Sequence, residues 1–342
     1  MFNRILVPLD GSSLAEGAIR HAVLFARIFG GIISLLQVLE PATDRENPKA
    51  IDPLNWQIRK AEADMYLQGI ASRIRTSLGE APLIGEDEKK SRVDYCIREG
   101  KAAENIVDYA HSENIDLVVI STHGSGGLSR WNMSSVTQKV INLVYLPVLI
   151  VRAYDRTETD ESMAHYRKIL LPIDCSRRAE CSITAGVEIA RGEFPTGEKI
   201  VELSEKSSLV LAAVIRPPEM PLPEPFPIEI SRILEELSML SHQAVEKYLN
   251  EMKERVQVKS EICVVEGKSV VSGIHDLAEQ EGIDLVILCA HGYSGQGTWP
   301  YGTVARNYME HGTKPVLVVQ DVPRSQVRQT AAEAAAEKSG RR

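Results

Sequence analysis

The sequence predicts two tandem doubly wound α/β domains, each with a five-stranded, mostly parallel sheet flanked by helices. Two observations lead to this fold class. Sequence blocks of the first half return in the second half in the same order, at offsets of 164 to 168 residues. Within each half, short runs rich in Val, Ile and Leu alternate with segments of helical periodicity. Such unbroken apolar runs are typical of strands that helices cover on both faces.

The repeat is carried by three short blocks. The first block is Ile-Leu-Val-Pro-Leu-Asp at 5–10, which returns as Ile-Leu-Leu-Pro-Ile-Asp at 169–174. The second is Thr-His-Gly at 122–124, which returns as Ala-His-Gly at 290–292. The third is Pro-Val-Leu at 147–149, which is repeated at 315–317. A repeat of this length is a whole domain, because a solenoid unit is much shorter. We therefore expect a first domain at 1–152, a linker at 153–166, a second domain at 167–321 and a polar tail at 322–342.

Strands and helices are expected to alternate through each half, joined by right-handed crossovers. The predicted strands of the first half lie at about 3–9, 32–39, 92–98, 116–121 and 147–152, and its helices at 13–29, 52–78, 101–113 and 134–144. The predicted strands of the second half lie at about 168–173, 208–215, 258–265, 284–289 and 315–320, and its helices at 177–191, 229–255, 268–281 and 303–311.

Several segments interrupt the repeat. The charged stretches 79–91 and 192–207 are predicted loops. The segment from Pro217 to Pro227 contains six prolines, which exclude a regular helix or a central strand. It either covers a ligand crevice, contacts a partner or acts as a spacer.

Composition argues against several classes of function. The 342-residue chain has a net charge of −8 and no evident basic patch, which argues against a nucleic-acid-binding protein. No apolar run approaches the length of a transmembrane helix. Five cysteines without a CxxC pair do not indicate a disulfide framework. We expect a cytoplasmic protein with no nucleic-acid or membrane partner.

Ligands of open parallel sheets bind beyond the carboxyl ends of the strands, where the strand order reverses. Asp10 and Asp174 end the first strand of each half and are predicted to lie there. A carboxylate in this position can accept hydrogen bonds from ribose hydroxyls or a base amine. It can also help to cap the next helix, whose start is marked by Ser12 or Ser176. The two roles are compatible.

Glycine-rich loops follow the fourth strand of each half, beginning at Gly124 and at Gly292. Glycines allow backbone amides to approach phosphate oxygens closely, although a loop without a ligand has the same composition. After nine intervening residues, Ser134-Ser135 and Gly302-Thr303 are predicted to begin a helix. Free amides at a helix start favour an anion, whereas an ordinary N-cap is the alternative role. The equal spacing in both halves favours a phosphate site.

Signals for catalysis and for a bound metal are weak in the sequence. His123 and His291 precede the loop glycines, but no nucleophile or orienting acid is evident beside them. We expect each to hold its turn by a hydrogen bond. The histidines and cysteines form no metal-binding cluster. Phosphate-loop and dinucleotide-binding motifs are absent after the strands where those folds need them.

These residues resemble the universal stress protein family in its tandem two-domain form, over roughly 1–152 and 166–321. Nucleotide-binding members carry the motif G-x2-G-x9-G-[ST]. The second half reads Cys289-x2-Gly292-x9-Gly302-Thr303 and departs only at the first glycine. The first half reads Ser121-x2-Gly124-x9-Ser134-Ser135 and departs at the first and third glycines.

The resemblance implies a stress-response protein that binds ATP, or ADP or AMP, with Mg²⁺ arriving on the phosphates. In the second half, Pro172 and Asp174 are implied to face the adenosine, and Gly292, Gly302 and Thr303 the phosphates. In the first half the matching residues are Pro8, Asp10, Gly124, Ser134 and Ser135. If position 134 requires a positive φ, serine is unfavourable there; if it only opens a helix, serine is a good substitute.

The resemblance also implies an assembly. In the family, final strands pair across a dimer, so the strands at 147–152 and 315–320 are expected to pair within this chain and make it an intramolecular pseudo-dimer. Further self-association and an unidentified protein partner are expected as well. The alternatives are a scaffold that binds no nucleotide, and a slow ATP hydrolase or kinase. No residue set indicates an efficient enzyme.

Overall fold

The computed structural model describes residues 1–41, 53–80, 91–124, 133–152, 164–193, 207–217, 228–293 and 300–321. The predicted polar tail, nearly all of the proline-rich segment and linker, and most of the predicted loops at 79–91 and 192–207 lie outside the described residues. So do residues 125–132 and 294–299, which contain most of the glycine-rich loops.

The first half alternates strands and helices as predicted. Its strands are β1 (Arg4–Leu9), β2 (Ile32–Leu39), β3 (Val93–Glu99), β4 (Leu117–Ser121) and β5 (Val148–Val151). Its helices are α1 (Ser13–Phe29), α2 (Pro53–Ser77), α3 (Ala102–Ser112) and α4 (Ser135–Leu143). Each central strand is almost wholly buried, which explains its unbroken run of branched apolar residues.

The second half repeats this order. Its strands are β6 (Lys168–Pro172), β7 (Ser208–Ile215), β8 (Ser260–Glu266), β9 (Leu285–Cys289) and β10 (Val316–Val319). Its helices are α5 (Cys181–Arg191), α6 (Ile228–Arg255), α7 (Val270–Gln280) and α8 (Thr303–His311). One boundary is wrong in the prediction: α5 begins at Cys181 and not at residue 177. Residues 176–183 are joined by backbone hydrogen bonds three residues apart, a tighter turn than the α-helix.

All ten strands form one sheet, in the order β3-β2-β1-β4-β5-β10-β9-β6-β7-β8. Every neighbouring pair is parallel except β5 and β10, which pair antiparallel through residues 148–150 and 316–318. One apolar core packs α1, α2, α5 and α6 on one face, and a second packs α3, α4, α7 and α8 on the other. The predicted fold class and the predicted pairing of the two final strands are therefore both present.

The first strand of each half pairs with its two neighbours over unequal lengths. The strand β1 pairs with β2 along its whole length, through Pro8 to Leu9, but with β4 only at Ile5 and Leu6. The strand β6 likewise pairs with β7 through Pro172, but with β9 only at two residues. Proline has no amide to donate, so it is tolerated where a ladder ends. This is the point where the strand order reverses.

A buried arginine joins the two halves beside the central strand pair. Arg152, which follows β5, donates hydrogen bonds to the carbonyl oxygens of Lys314, Met309 and Tyr308, at 3.1, 2.9 and 2.8 Å. Two of these carbonyls belong to the last turn of α8, where a cation is favourable. At Gly312, which follows that helix, an added Cβ would lie 2.7 Å from the Arg152 Nη2 atom. The glycine therefore makes room for the guanidinium.

A second contact between the halves is a buried histidine–tyrosine pair. The Nδ1 atom of His21, in α1, lies 2.5 Å from the hydroxyl oxygen of Tyr166, which precedes β6. Burial, and to a smaller extent the charge of Arg20, lowers the pKa of His21 to about 3. The imidazole is therefore neutral in the folded protein at neutral pH.

Among the described helices, none combines the length and the apolar character that a membrane span requires.

Candidate functional site

The carboxylates at the strand tips help to form a local cap. Asp10 follows β1 directly, and both the amide and the hydroxyl of Ser12 donate to its Oδ1 atom, at 3.0 and 2.6 Å. Ser12 in turn caps α1 by accepting from the amide of Ala15 at 3.2 Å. Asp174 accepts from the amide of Ser176 in the same way, at 3.0 Å. Both aspartates are exposed at the edge of the sheet, so the capping role leaves them accessible to a ligand.

The glycines after the fourth strands lie directly against these same carboxylates. At Gly124 an added Cβ would overlap the Oδ2 atom of Asp10, and at Gly292 it would overlap the Oδ2 atom of Asp174. In the second half the amide of Tyr293 donates to Asp174 Oδ2 at 2.5 Å. In the second half the carboxylate thus ties the tip of β6 to the turn after β9, and in the first half Asp10 lies against the turn after β4. A side chain at either glycine would displace the carboxylate, whether or not phosphate binds.

The helix starts are tied to the same turns. The amide of Ser134 donates to the carbonyl of Thr122 at 2.8 Å, and the amide of Gly302 donates to the carbonyl of Ala290 at 2.7 Å. These equivalent bonds place the starts of α4 and α8 beside Gly124 and Gly292. The structure therefore brings the predicted strand tip, turn and helix start together in both halves.

Position 134 has no need for glycine. Ser134 has φ −57° and ψ 145°, and Gly302 has φ −70° and ψ 168°, so both residues are extended N-caps. Of the two alternatives stated for Ser134, the structure has the second, in which the residue only opens a helix.

The two caps nevertheless differ. The Oγ atom of Ser134 accepts from the amide of Thr137 at 3.1 Å, whereas Gly302 provides no side-chain cap. No side chain at the cap position of α8 accepts from its first-turn amides, so these amides are more available to an external anion than those of α4. Ser135 and Thr303, the first residues of the two helices, are both exposed, so each hydroxyl is accessible at the same edge.

The two histidines have different partners. The His123 ring is buried, and its Nδ1 atom lies 3.0 Å from the Thr122 hydroxyl. The His291 Nδ1 atom lies 2.7 Å from Asp321 Oδ1. The Asp321 side chain is 2% exposed, and Arg178 Nε lies 3.8 Å from its other oxygen. Burial raises the pKa of Asp321, but the hydrogen bond and charge of His291, with the charge of Arg178, outweigh burial and lower it.

Sequence reasoning missed Asp321 as an orienting acid. Thirty residues separate it from His291, and no local motif joins them. A usable signal was its position directly beyond the predicted final strand, because β9 and β10 are parallel neighbours and their carboxyl ends meet at one edge.

Cys289 occupies the position of the first motif glycine, and its side chain points toward α5. Its Sγ atom lies 3.2 Å from the Sγ atom of Cys181 and 3.2 Å from the carbonyl oxygen of Arg178. In the first half, the equivalent Ser121 is buried and accepts from the amide of His123 at 3.5 Å. Within the described residues, no group of three or more His, Cys, Asp or Glu side chains is placed to hold a metal ion.

Comparison with known proteins agrees with this architecture. A model of the universal stress protein family matches residues 1–152 and 165–320. A universal stress protein of Synechocystis is 32% identical over 159 residues, which cover 44% of this chain and 86% of that protein. The Bacillus subtilis universal stress protein YxiE is 28% identical over 158 residues, which cover 44% of this chain and 100% of that protein.

Solved structures match across both halves. A universal stress protein from Archaeoglobus fulgidus has a TM-score of 0.57 and 14% identity, covering 94% of this chain and 100% of its own. A Pseudomonas aeruginosa protein described as functionally unknown has a TM-score of 0.61 and 16% identity, covering 98% of each chain. At these identities the likeness shows a shared fold.

Proposed function

Because the chain belongs to the universal stress protein family, whose model matches most of its length, we propose that it binds ATP or a related adenine nucleotide as a regulatory ligand. The second half is the principal site and the first half a weaker one. The observation that carries this proposal is the start of α8, where Gly302 gives the first-turn amides no side-chain cap.

The neighbouring groups suit the remaining parts of a nucleotide. Asp174 is an exposed acceptor beside the end of β6, where a ribose or an adenine amine can donate to it. The exposed hydroxyl of Thr303 adds a donor for a phosphate at the helix start. In the first half Asp10 and Ser135 supply the same groups, but the Ser134 hydroxyl competes for an amide that an anion would use.

A regulatory effect follows from the position of these groups. Asp174 lies after β6, whereas Gly302 and Thr303 open α8, more than a hundred residues later in the chain. A ligand that contacts both segments favours the conformation in which they are close together, and so shifts the population of surfaces that the protein presents to a partner. Mg²⁺ would enter with the phosphates, as their counter-ion.

Equilibrium binding of ATP, ADP and AMP to the purified full-length chain, measured by calorimetry, tests the proposal. We expect saturable binding that weakens at least tenfold in Gly302→Trp, because the new side chain fills the helix start. Ser134→Trp is the matched control in the first half and should remove only the weaker site. Absence of saturable binding to the folded wild-type protein contradicts the proposal and leaves the scaffold that binds no nucleotide.

A second candidate function is slow nucleotide hydrolysis in the second half, favoured by the His291–Asp321 pair. A buried carboxylate that fixes an imidazole can orient it as a general base toward a water molecule. Multiple-turnover phosphate release should then fall to background in His291→Ala and in Asp321→Asn. His123→Ala is the matched control and should leave the rate unchanged. Background release from the wild-type protein rejects this second function.

A further inference from the structure

Two cysteine thiols meet at the edge of the second half. Cys181 is the first residue of α5, and Cys289 is the last residue of β9. Their sulfur atoms are 3.2 Å apart, and both side chains are only partly buried. The sulfurs would have to approach by about 1.2 Å to reach the length of a disulfide bond, about 2.05 Å. A shift of that size is small for a residue at a helix start.

The fold itself does not require this pair of thiols. At the equivalent positions the first half has Gly17, in α1, and Ser121, at the end of β4. The first half thus builds the same helix–strand contact without sulfur. The pairing of two thiols across the edge of the sheet therefore belongs to the second half alone.

We propose that Cys181 and Cys289 form a redox-sensitive modification site, whose substrate is a low-molecular-weight disulfide such as oxidised glutathione. One protein thiolate attacks a sulfur of the small disulfide, which forms a mixed disulfide and releases one small thiolate. The second protein sulfur attacks the protein sulfur of the mixed disulfide and releases the other small thiolate. Two protein thiols are oxidised, one small disulfide is reduced to two thiols, and the two protons pass to the released thiolates.

The two thiols share one hydrogen bond, in which Cys181 donates to Cys289. The neighbouring Cys181 sulfur, followed by burial, raises the pKa of the Cys289 thiol. Either sulfur can open the exchange, because both routes end in the same disulfide. Cys175 is exposed nearby, but burial of its sulfur and the charge of Asp174 raise the pKa of its thiol as well. It competes poorly for the small disulfide.

The sequence offers a clean assay, because trypsin places each of the five cysteines on a separate peptide. Cys175 falls on peptide 169–177, Cys181 on 179–191 and Cys289 on 269–306. The full-length protein is incubated with oxidised glutathione, its remaining thiols are blocked by alkylation, and the digest is analysed without reduction by mass spectrometry. We expect the cross-linked pair 179–191 with 269–306 to exceed any other disulfide at least tenfold.

Two controls keep the result specific. Cys289→Ser installs the residue that the first half has at this position, so it should fold normally and lose the cross-link. In the urea-unfolded chain the preference should disappear, and Cys175 with Cys181, which close the shortest loop, should dominate.

The proposal is overturned if Cys181 and Cys289 of the folded protein stay open to alkylation, end as separate glutathione adducts, or link mainly to Cys175. None of these outcomes bears on nucleotide binding, which the calorimetric experiment tests on reduced protein.

Discussion

The two halves have the same backbone arrangement at the carboxyl edge of the sheet, but they differ in the side chains that they place there. In the first half, Ser134 caps α4 with its own hydroxyl, and His123 contacts the neighbouring Thr122. In the second half, Gly302 leaves α8 without a side-chain cap, and His291 pairs with the buried Asp321. The shared features belong to the fold, whereas the differences mark one edge as the better candidate for binding an anion.

The contact between the halves is unequal as well, and here a substitution should have its largest effect. Arg152→Met removes three hydrogen bonds from a buried cation to carbonyl oxygens, and we expect a loss of about 3 kcal/mol in the free energy of unfolding. At the matching position Gln320 donates more weakly, to the carbonyls of Pro300 and Leu146 at 3.2 and 3.5 Å. Gln320→Met should cost about 1 kcal/mol in urea unfolding. Equal losses would show that the two contacts are equivalent.

The turn glycines should behave alike in both halves. Gly124→Ala and Gly292→Ala each place a Cβ against an aspartate oxygen, so we expect each to cost about 2 to 3 kcal/mol. Combining Gly292→Ala with Asp174→Ala removes the overlap, and the double variant should be more stable than the sum of the single effects predicts. Strict additivity in denaturant unfolding would mean that the carboxylate does not restrict this position.

His21 should give the first half a pH dependence that the matching position of the second half lacks. His21 has a folded pKa of about 3 and an ordinary value of 6.5, so the unfolded chain takes up the proton first as the pH falls. This histidine therefore stabilises the fold fully above pH 6.5, and its contribution is lost progressively from there toward pH 3. Between pH 7 and pH 5 the loss should be about 2 kcal/mol.

The second half has Ala185 at the matching position and no such group there. The double variant His21→Leu with Tyr166→Phe removes both polar partners and should unfold with a flatter pH profile than the wild type. Unchanged profiles, measured by denaturant unfolding at each pH, would contradict a buried neutral histidine.

The smallest expected effect on stability comes from exchanging the caps. Gly302→Ser supplies a hydroxyl cap to α8 and should stabilise the protein by a few tenths of a kcal/mol. The gain is limited because its Cβ would lie 3.2 Å from the carbonyl oxygen of Ala290. The same variant should weaken ATP binding several-fold, and Ser134→Gly should strengthen binding in the first half. If the exchange leaves both affinities unchanged in calorimetry, the caps do not set the difference between the halves.

Most of the fold could be predicted from the sequence because repetition and periodicity are local signals. The start of α5 could not. Ser176 matches the cap residue Ser12, yet the chain makes a tighter turn before the helix begins at Cys181. The sequence carries no clear sign of this choice between hydrogen bonds three and four residues apart.

The residues of the candidate site also fall into those that the sequence predicts and those that it does not. Asp10, Asp174 and the turn glycines follow from their positions at predicted strand ends, and the structure brings them together with the helix starts. The roles of Asp321, Cys181 and Arg152 depend on side chains that meet only after distant elements pack. Asp321 reaches His291 because β9 and β10 are neighbours, and Arg152 reaches α8 because β5 and β10 are paired.

The antiparallel pairing of β5 with β10 also sets the direction in which each half faces. Strands within a half run parallel, so this single reversal turns the carboxyl ends of one half toward the opposite rim of the sheet from those of the other. The two candidate sites therefore lie on opposite edges of one sheet, and a ligand would approach each of them from a different side of the molecule.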